Sequence, residues 1–160
     1  MRAFRWACLA VVLGGCAAPP NASPRTVADV VVKALDQGDV PGFLAVLPSE
    51  DQLGEAFDCG HADTLRAALR RRLDDLRAEL EARREAHFRT RISAWDEAGS
   101  ETVELAPGDV FQGCAARAAV TVHRSRLTLT RTRGGRNDNA RETWTFLRFE
   151  PDGPWYFGKL

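Results

Sequence analysis

The chain has 160 residues, 44% of them hydrophobic, and its 22 basic residues balance 22 acidic ones. A formal net charge of zero excludes the strongly basic composition typical of proteins that bind nucleic acid through overall charge. The length is sufficient for one domain with a hydrophobic core of its own.

The first fifteen residues have the three parts of a secretory signal. Arg2 and Arg5 form a basic head, and residues 6–13 are an apolar run. Residues 14–15 are glycines, and a signal peptidase requires such small residues beside its cleavage site. The apolar run is too short to cross roughly 30 Å of hydrocarbon as a permanent helix. We therefore expect residues 1–15 to be removed, which leaves 20 basic against 22 acidic residues.

The next residue gives this signal a more specific interpretation, because Leu13-Gly14-Gly15-Cys16 resembles the lipobox of bacterial lipoproteins. The resemblance implies that Cys16 receives a diacylglyceryl thioether, that the signal is cut before it, and that a fatty acid such as palmitate acylates its new amino group. Each buried methylene contributes about 0.8 kcal/mol, so more than one chain anchors stably. Ala17 rather than Asp follows the cysteine, which by the sorting rule of the family implies the periplasmic face of the outer membrane. The alternative is an ordinary signal cut near residues 17–18, with Cys16 lost or free.

The four cysteines predict one disulfide. Cys8 leaves with the signal and Cys16 is consumed by lipid, so Cys59 and Cys114 remain. Two thiols in an oxidising compartment indicate a bridge. It would close a span of 55 residues and stabilise the fold by roughly 4 kcal/mol in the chain-entropy model. The alternative is a pair of buried free thiols.

After a lipidated tether over residues 16–23, which two prolines keep extended, we expect a single domain over 24–160. Local signals predict three short helices at its start. Ser23 caps the first, and Gly38 ends it. A second begins at Pro41, and a capping box formed by Ser49 with the glutamine three residues later begins the third.

A longer amphipathic helix is predicted over residues 62–88. Its leucines recur every three or four residues, at Leu65, Leu69, Leu73, Leu76 and Leu80. A coiled coil is the alternative, but the repeat stops after two to three heptads, which favours a helix lying on a sheet. The basic run at residues 70–72 is expected to be a solvated face, and contact with phosphate head groups is its alternative.

From Phe88 onwards the hydrophobic period changes from helical to alternating. Strands are expected at 88–95, 101–105, 115–132, 141–150 and 154–160. Turns are expected at residues 98–100, 134–139 and 152–153.

The long third strand contains a change of hydrophobic parity. Val120 and Val122 point to one side, whereas Leu127 and Leu129 have the opposite parity. We expect a bulge near residues 123–126 that restores one continuous apolar face.

The order of elements and the closing segment, Trp144-Thr-Phe-Leu-Arg-Phe followed by Asp152-Gly153-Pro-Trp155-Tyr-Phe, resemble the NTF2-like (cystatin-like) superfamily over residues 25–160. The resemblance implies an α+β cone with N-terminal helices, one of them long and amphipathic, packed on a curved antiparallel sheet of four to five strands. The chain departs from the family pattern because the long helix precedes the whole sheet. No catalytic motif of the family is carried across.

Cones of this superfamily often hold a small apolar ligand between helix and sheet. By that resemblance His123, Trp144, Phe146 and Trp155 are the candidate pocket residues. Other members place an Asp/His pair inside. The candidates for such a pair are Asp58, His61, Asp63, His87 and His123, and we would test His123 first.

No metal or cofactor is expected. His61 and Asp63 supply only two ligands where zinc needs three or four, and a Cys59 held in a disulfide cannot bind a metal. A nucleic-acid platform is also excluded, because the arginines of one hairpin lack interleaved exposed aromatics. These arginines are Arg124, Arg126, Arg131, Arg133 and Arg136.

These observations predict a membrane-anchored periplasmic lipoprotein with a non-enzymatic α+β domain that binds a small apolar ligand or another envelope protein. One alternative is a small cone-fold enzyme that uses His123 and an inward carboxylate as an acid–base pair. Another is a structural component of a cell-envelope complex.

Overall fold

The computed structural model of the chain describes residues 19, 21–60, 74–75, 77–82 and 89–158. The predicted signal peptide, Cys16, the basic run at 70–72 and three of the acid–base candidates (His61, Asp63 and His87) lie outside the described residues. No helix in the described part of the chain is long and apolar enough to span a membrane.

Three helices begin at the predicted sites: α1 (Pro24–Gln37), α2 (Val40–Leu44) and α3 (Glu50–Ala56). Ser23 and Ser49 each cap a helix through a complete capping box. Gly38 ends α1 in the left-handed conformation, with φ of 64°, which glycine adopts without steric cost. Residues 74–75 and 77–82 are also helical, within the range predicted for the long helix.

The strands form two antiparallel sheets, ordered β2-β5-β6-β7 and β1-β4-β3. The strands are β1 (Phe57–Asp58), β2 (Arg89–Leu105), β3 (Val110–Phe111), β4 (Cys114–Ala116), β5 (Val120–Arg133), β6 (Arg136–Arg148) and β7 (Tyr156–Phe157). The predicted α+β class is confirmed, and the four-stranded sheet matches the predicted size. The small three-stranded sheet was not predicted.

Residues 98–100 were predicted to form a turn between two strands, and this prediction is wrong. They lie inside β2, which pairs with β5 on both sides of them but shifts register between Ile92 and Ala94 and again between Asp96 and Glu101. The Asp96 carboxylate accepts a hydrogen bond of 2.9 Å from the Gly99 N–H. This short-range bond closes the extra residues into a bulge and lets the strand continue beyond it.

The bulge predicted near residues 123–126 of the third strand is also wrong. The pairing of β5 with β6 runs from Thr121 with Arg148 to Arg133 with Arg136 without a shift. The irregularity lies on the opposite strand, β2. The change of parity on β5 is real, but it means that the two ends of the strand bury opposite faces.

Each face of the four-stranded sheet has its own core. On the face that we call the inner sheet face, α1 and Leu80 pack over a cluster that includes Leu127, Leu129, Trp144 and Phe146. On the opposite or outer sheet face, α3 and the small sheet pack over Val120, Val122 and Leu147. This second cover does not include the outer face near the β5–β6 hairpin, where the side chains of Arg91, Arg126 and Arg141 are exposed.

The predicted disulfide between Cys59 and Cys114 is present. Cys59 directly follows β1, and Cys114 is the first residue of β4. The bridge therefore joins two strands of the small sheet, one of which continues directly from α3.

Candidate functional site

His123 lies on β5 with both ring nitrogens bonded to hydroxyl groups. Its Nδ1 is 2.8 Å from Thr102 Oγ1, and its Nε2 is 2.7 Å from Ser125 Oγ. Burial lowers the pKa of His123, and the negative charge of Glu97 partly opposes this effect. The ring is therefore neutral at neutral pH, and its two hydrogen-bonding positions are occupied by hydroxyls and not by a carboxylate.

The contact between His123 and Ser125 has the spacing that activates a serine nucleophile in some enzymes. Here the Ser125 side chain is 0% exposed, so a substrate has no direct access to its hydroxyl. The same hydroxyl lies 3.2 Å from Ser100 Oγ, which donates to the Asp96 carbonyl over 2.9 Å. This chain of bonds joins β5 to the bulge of β2 and has a structural role.

The four candidate pocket residues lie close together. The His123 ring is 6.3 Å from that of Phe146 and 5.9 Å from that of Trp155, measured between centroids. Trp144 packs edge-on against Phe157 at 5.1 Å. Trp144 and Phe146 are buried within the core beneath α1, so their surroundings are side chains of the protein itself.

Asp58, another acid–base candidate, lies at the end of β1 in the small sheet, whereas His123 lies in the four-stranded sheet. Its carboxylate accepts a hydrogen bond from the Gly60 N–H and pairs with Arg117 at 3.2 Å. These two partners, the backbone bond first, lower its pKa. Asp58 is exposed and is therefore an ordinary ionised loop carboxylate.

A groove of about 310 Å³ opens beside the bulge of β2, at a place that the sequence did not indicate. Its lining residues come from three adjacent strands: Ala94, Trp95, Asp96, Arg126, Leu127, Thr128 and Arg141. The register of the sheet places Ala94, Thr128 and Arg141 in one row across β2, β5 and β6. The short side chains of Ala94 and Thr128 leave a gap on the outer sheet face beside Arg126 and Arg141.

The charges around this groove are mostly positive. Arg126 Nη1 is 3.9 Å from Asp96 Oδ2, with both side chains exposed, and an exposed ion pair of this length contributes little free energy. Within the described part of the chain, neither Arg141 nor Arg91 forms an ion pair or a side-chain hydrogen bond. Both are exposed and can bind an anion from outside.

In the sequence, the arginines of the β5–β6 hairpin were considered as one group. In the structure they lie on both faces of the four-stranded sheet. Arg124 and Arg126 lie on the outer sheet face, where Arg124 pairs with Glu101 at 2.7 Å. Arg131 lies on the inner face and pairs with Glu142. The alternation of side chains along β5 is enough to assign these arginines to opposite faces of the sheet. The face on which a β2 side chain lies also depends on the positions of the bulges in β2.

Within the described residues, no group of three or more histidine, cysteine, aspartate or glutamate side chains is arranged to hold a metal ion. Cys59 is held in the disulfide. Comparison with protein-family models, with curated proteins and with solved structures finds no match to the chain.

Proposed function

We propose that the chain is an exported lipoprotein, anchored by lipid on Cys16 at the periplasmic face of the outer membrane, whose α+β domain binds a partner and does not catalyse a reaction. The observation that carries the proposal is the disulfide between Cys59 and Cys114. These are the two cysteines of the processed chain whose thiols are not used for the lipid. Disulfides persist in oxidising compartments such as the periplasm.

The start of the domain fixes the length of the proposed tether. The Asn21 carbonyl accepts a hydrogen bond of 2.8 Å from the Trp155 N–H, so the chain is attached to the domain from Asn21 onwards. The segment from Cys16 to Asn21 then reaches at most roughly 18 Å when fully extended. A tether this short would hold the domain against the membrane surface.

Binding is favoured over catalysis by the geometry around His123, whose ring nitrogens are both bonded to hydroxyls. A protein partner is favoured over a small apolar ligand because Trp144 and Phe146, the expected pocket residues, are buried beneath α1. The open groove lies on the other face and carries charged and polar side chains. We include in the proposal that this α+β domain, whose helices pack on a four-stranded antiparallel sheet, is an NTF2-like cone.

The anchor is tested by comparing two cysteine substitutions in the exported protein. Cys16→Ser should move the protein from the membrane fraction to the soluble fraction and abolish labelling by radioactive palmitate. Cys8→Ser is the matched control, since Cys8 lies in the proposed signal and should have no effect. A Cys16→Ser protein that is cleaved and still sediments with membranes would show that the anchor is elsewhere.

A further inference from the structure

The outer sheet face near the β5–β6 hairpin carries more positive than negative charge. Its rows across the three long strands are Arg91 with Thr130 and Asn139, then Ala94 with Thr128 and Arg141, then Asp96 with Arg126 and Thr143. Arg89 continues the same face on β2. Among the residues of these described rows, Asp96 is the one with an acidic side chain. Its carboxylate lies beside the guanidinium of Arg126 and so offsets the charge of that arginine.

The remaining side chains of these rows are short and mostly polar. Thr130 donates to Asn139 over 2.8 Å, and Thr128 lines the groove between the arginines. Guanidinium groups bind carboxylates through paired hydrogen bonds. Threonine hydroxyls and asparagine amides can donate further hydrogen bonds to the same carboxylates. We propose that this face binds an acidic segment of another protein, whose carboxylates pair with Arg91 and Arg141.

A protein segment is a better occupant than the anchoring membrane because of where the tether joins the domain. Trp155, which holds Asn21, lies beneath the guanidinium of Arg148 at 4.7 Å. Arg141 is seven positions earlier on β6, which corresponds to about 24 Å along the strand. Arg91 and Arg141 therefore lie at the end of the sheet away from the tether. This choice of occupant rests on the proposed anchor at Cys16.

The test uses the exported protein purified from the cell envelope and a fluorescein-labelled peptide of alternating Glu and Ser residues. In an extended peptide this alternation places all carboxylates on one side. The matching peptide with Gln in place of Glu is the control ligand. Fluorescence anisotropy should show that the Glu peptide binds, that added salt weakens binding, and that the Gln peptide does not bind.

Two pairs of substitutions remove the same charge from different faces. Arg91→Gln with Arg141→Gln should weaken binding of the Glu peptide by roughly tenfold or more, since both guanidinium–carboxylate pairs and their charge-assisted hydrogen bonds are lost. Arg25→Gln with Lys33→Gln removes two exposed charges from α1, and should leave the affinity close to that of the unaltered protein. Equal weakening by both pairs would mean that only net charge matters and would overturn the proposal.

Two further measurements cover the remaining outcomes. On the unaltered protein, the Glu peptide should shift the amide resonances of Thr128 and Asn139, and shifts confined to other elements would contradict the proposal even if the double variant failed to fold. Cys16→Ser should bind the Glu peptide unchanged, so an error about the anchor remains distinguishable from an error about the face. If vesicles of phosphatidylglycerol bind the Cys16→Ser protein through Arg91 and Arg141 while the Glu peptide does not, the occupant is the membrane and the proposal is wrong.

Discussion

Cys59 and Cys114 lie opposite each other, one position beyond the last pair of the β1–β4 ladder. The ladder pairs Phe57 with Ala116 and Asp58 with Ala115, and the next two residues are the cysteines. Their Cα atoms are 4.2 Å apart, close to the separation of about 4.5 Å between non-hydrogen-bonded partners of an antiparallel ladder. The disulfide therefore continues the ladder covalently and fixes the end of α3 to the small sheet.

Replacing both cysteines by alanine should lower the free energy of unfolding by about 4 kcal/mol, because the 55-residue loop is no longer closed in the unfolded chain. Urea unfolding of the double variant measures this loss. A reductant should destabilise the unaltered protein by a similar amount and leave the double variant unchanged. Equal midpoints for the double variant and the oxidised protein would show that the bridge does not stabilise the fold.

Leu80 tests whether the helical residues 77–82 pack on the inner sheet face. Its side chain is 0% exposed and belongs to the cluster beneath α1. Leu80→Ala should cost about 2–5 kcal/mol of unfolding free energy, since it removes buried methyl groups and leaves a cavity. Glu81→Ala, at an exposed neighbouring position, should change stability by less than about 0.5 kcal/mol. A similar small effect for Leu80→Ala would contradict the packing described.

Asp36 links the last turn of α1 to the start of β2. Its carboxylate accepts a hydrogen bond from the N–H of Thr90, a residue that is 4% exposed. Asp36→Ala leaves this donor without a partner and should cost about 1–3 kcal/mol. Asp36→Asn keeps an acceptor and should recover most of the loss, and Asp29→Ala, exposed on the same helix, should have little effect. Thermal unfolding of the three variants distinguishes these outcomes.

His123 should make stability depend on pH near neutrality. Burial lowers its pKa below the ordinary value of 6.5, so the unfolded chain binds a proton more readily than the folded one. Its contribution to stability is complete above pH 6.5 and is lost as the pH falls through the pKa of the folded state. Urea unfolding on both sides of this pH should show a weaker pH dependence for His123→Gln than for the unaltered protein.

Glu97 supplies an internal control for this interpretation. Its negative charge raises the pKa of His123 against the effect of burial, so Glu97→Gln should lower that pKa further. A titration of the His123 ring followed by nuclear magnetic resonance measures the direction. An upward shift in Glu97→Gln would contradict the electrostatic account.

Local signals in the sequence predicted much of this fold. Ser23 and Ser49 located two helix starts because a capping box depends only on residues a few positions apart. The pairing of Cys59 with Cys114 followed from elimination of the other cysteines. The turn predicted over residues 134–139 is shorter in the structure. Gly134 and Gly135 turn the chain with positive φ angles of 56° and 78°, and residues 136–139 already belong to β6.

The predictions that were wrong concern features determined by contacts between residues far apart in the sequence. Residues 98–100 have the composition of a turn, but pairing with β5 on either side makes them a bulge. The parity change between Val122 and Leu127 suggested a second bulge on the assumption that one face of the sheet is buried. Both faces are covered at different ends. The groove beside Arg141 depends on the register of three strands, which residue order alone does not determine.

Anchoring through lipid on Cys16 is tested by the intact mass of the N-terminal peptide after the protein is extracted from membranes. We expect a peptide that begins at Cys16 and carries both a diacylglyceryl thioether and an amide-linked fatty acid. Treatment with alkali should remove the two ester-linked chains and leave the amide-linked one. An unmodified peptide that begins at residue 17 or 18, or a peptide that retains residues 1–15, would show that Cys16 does not carry the lipid anchor.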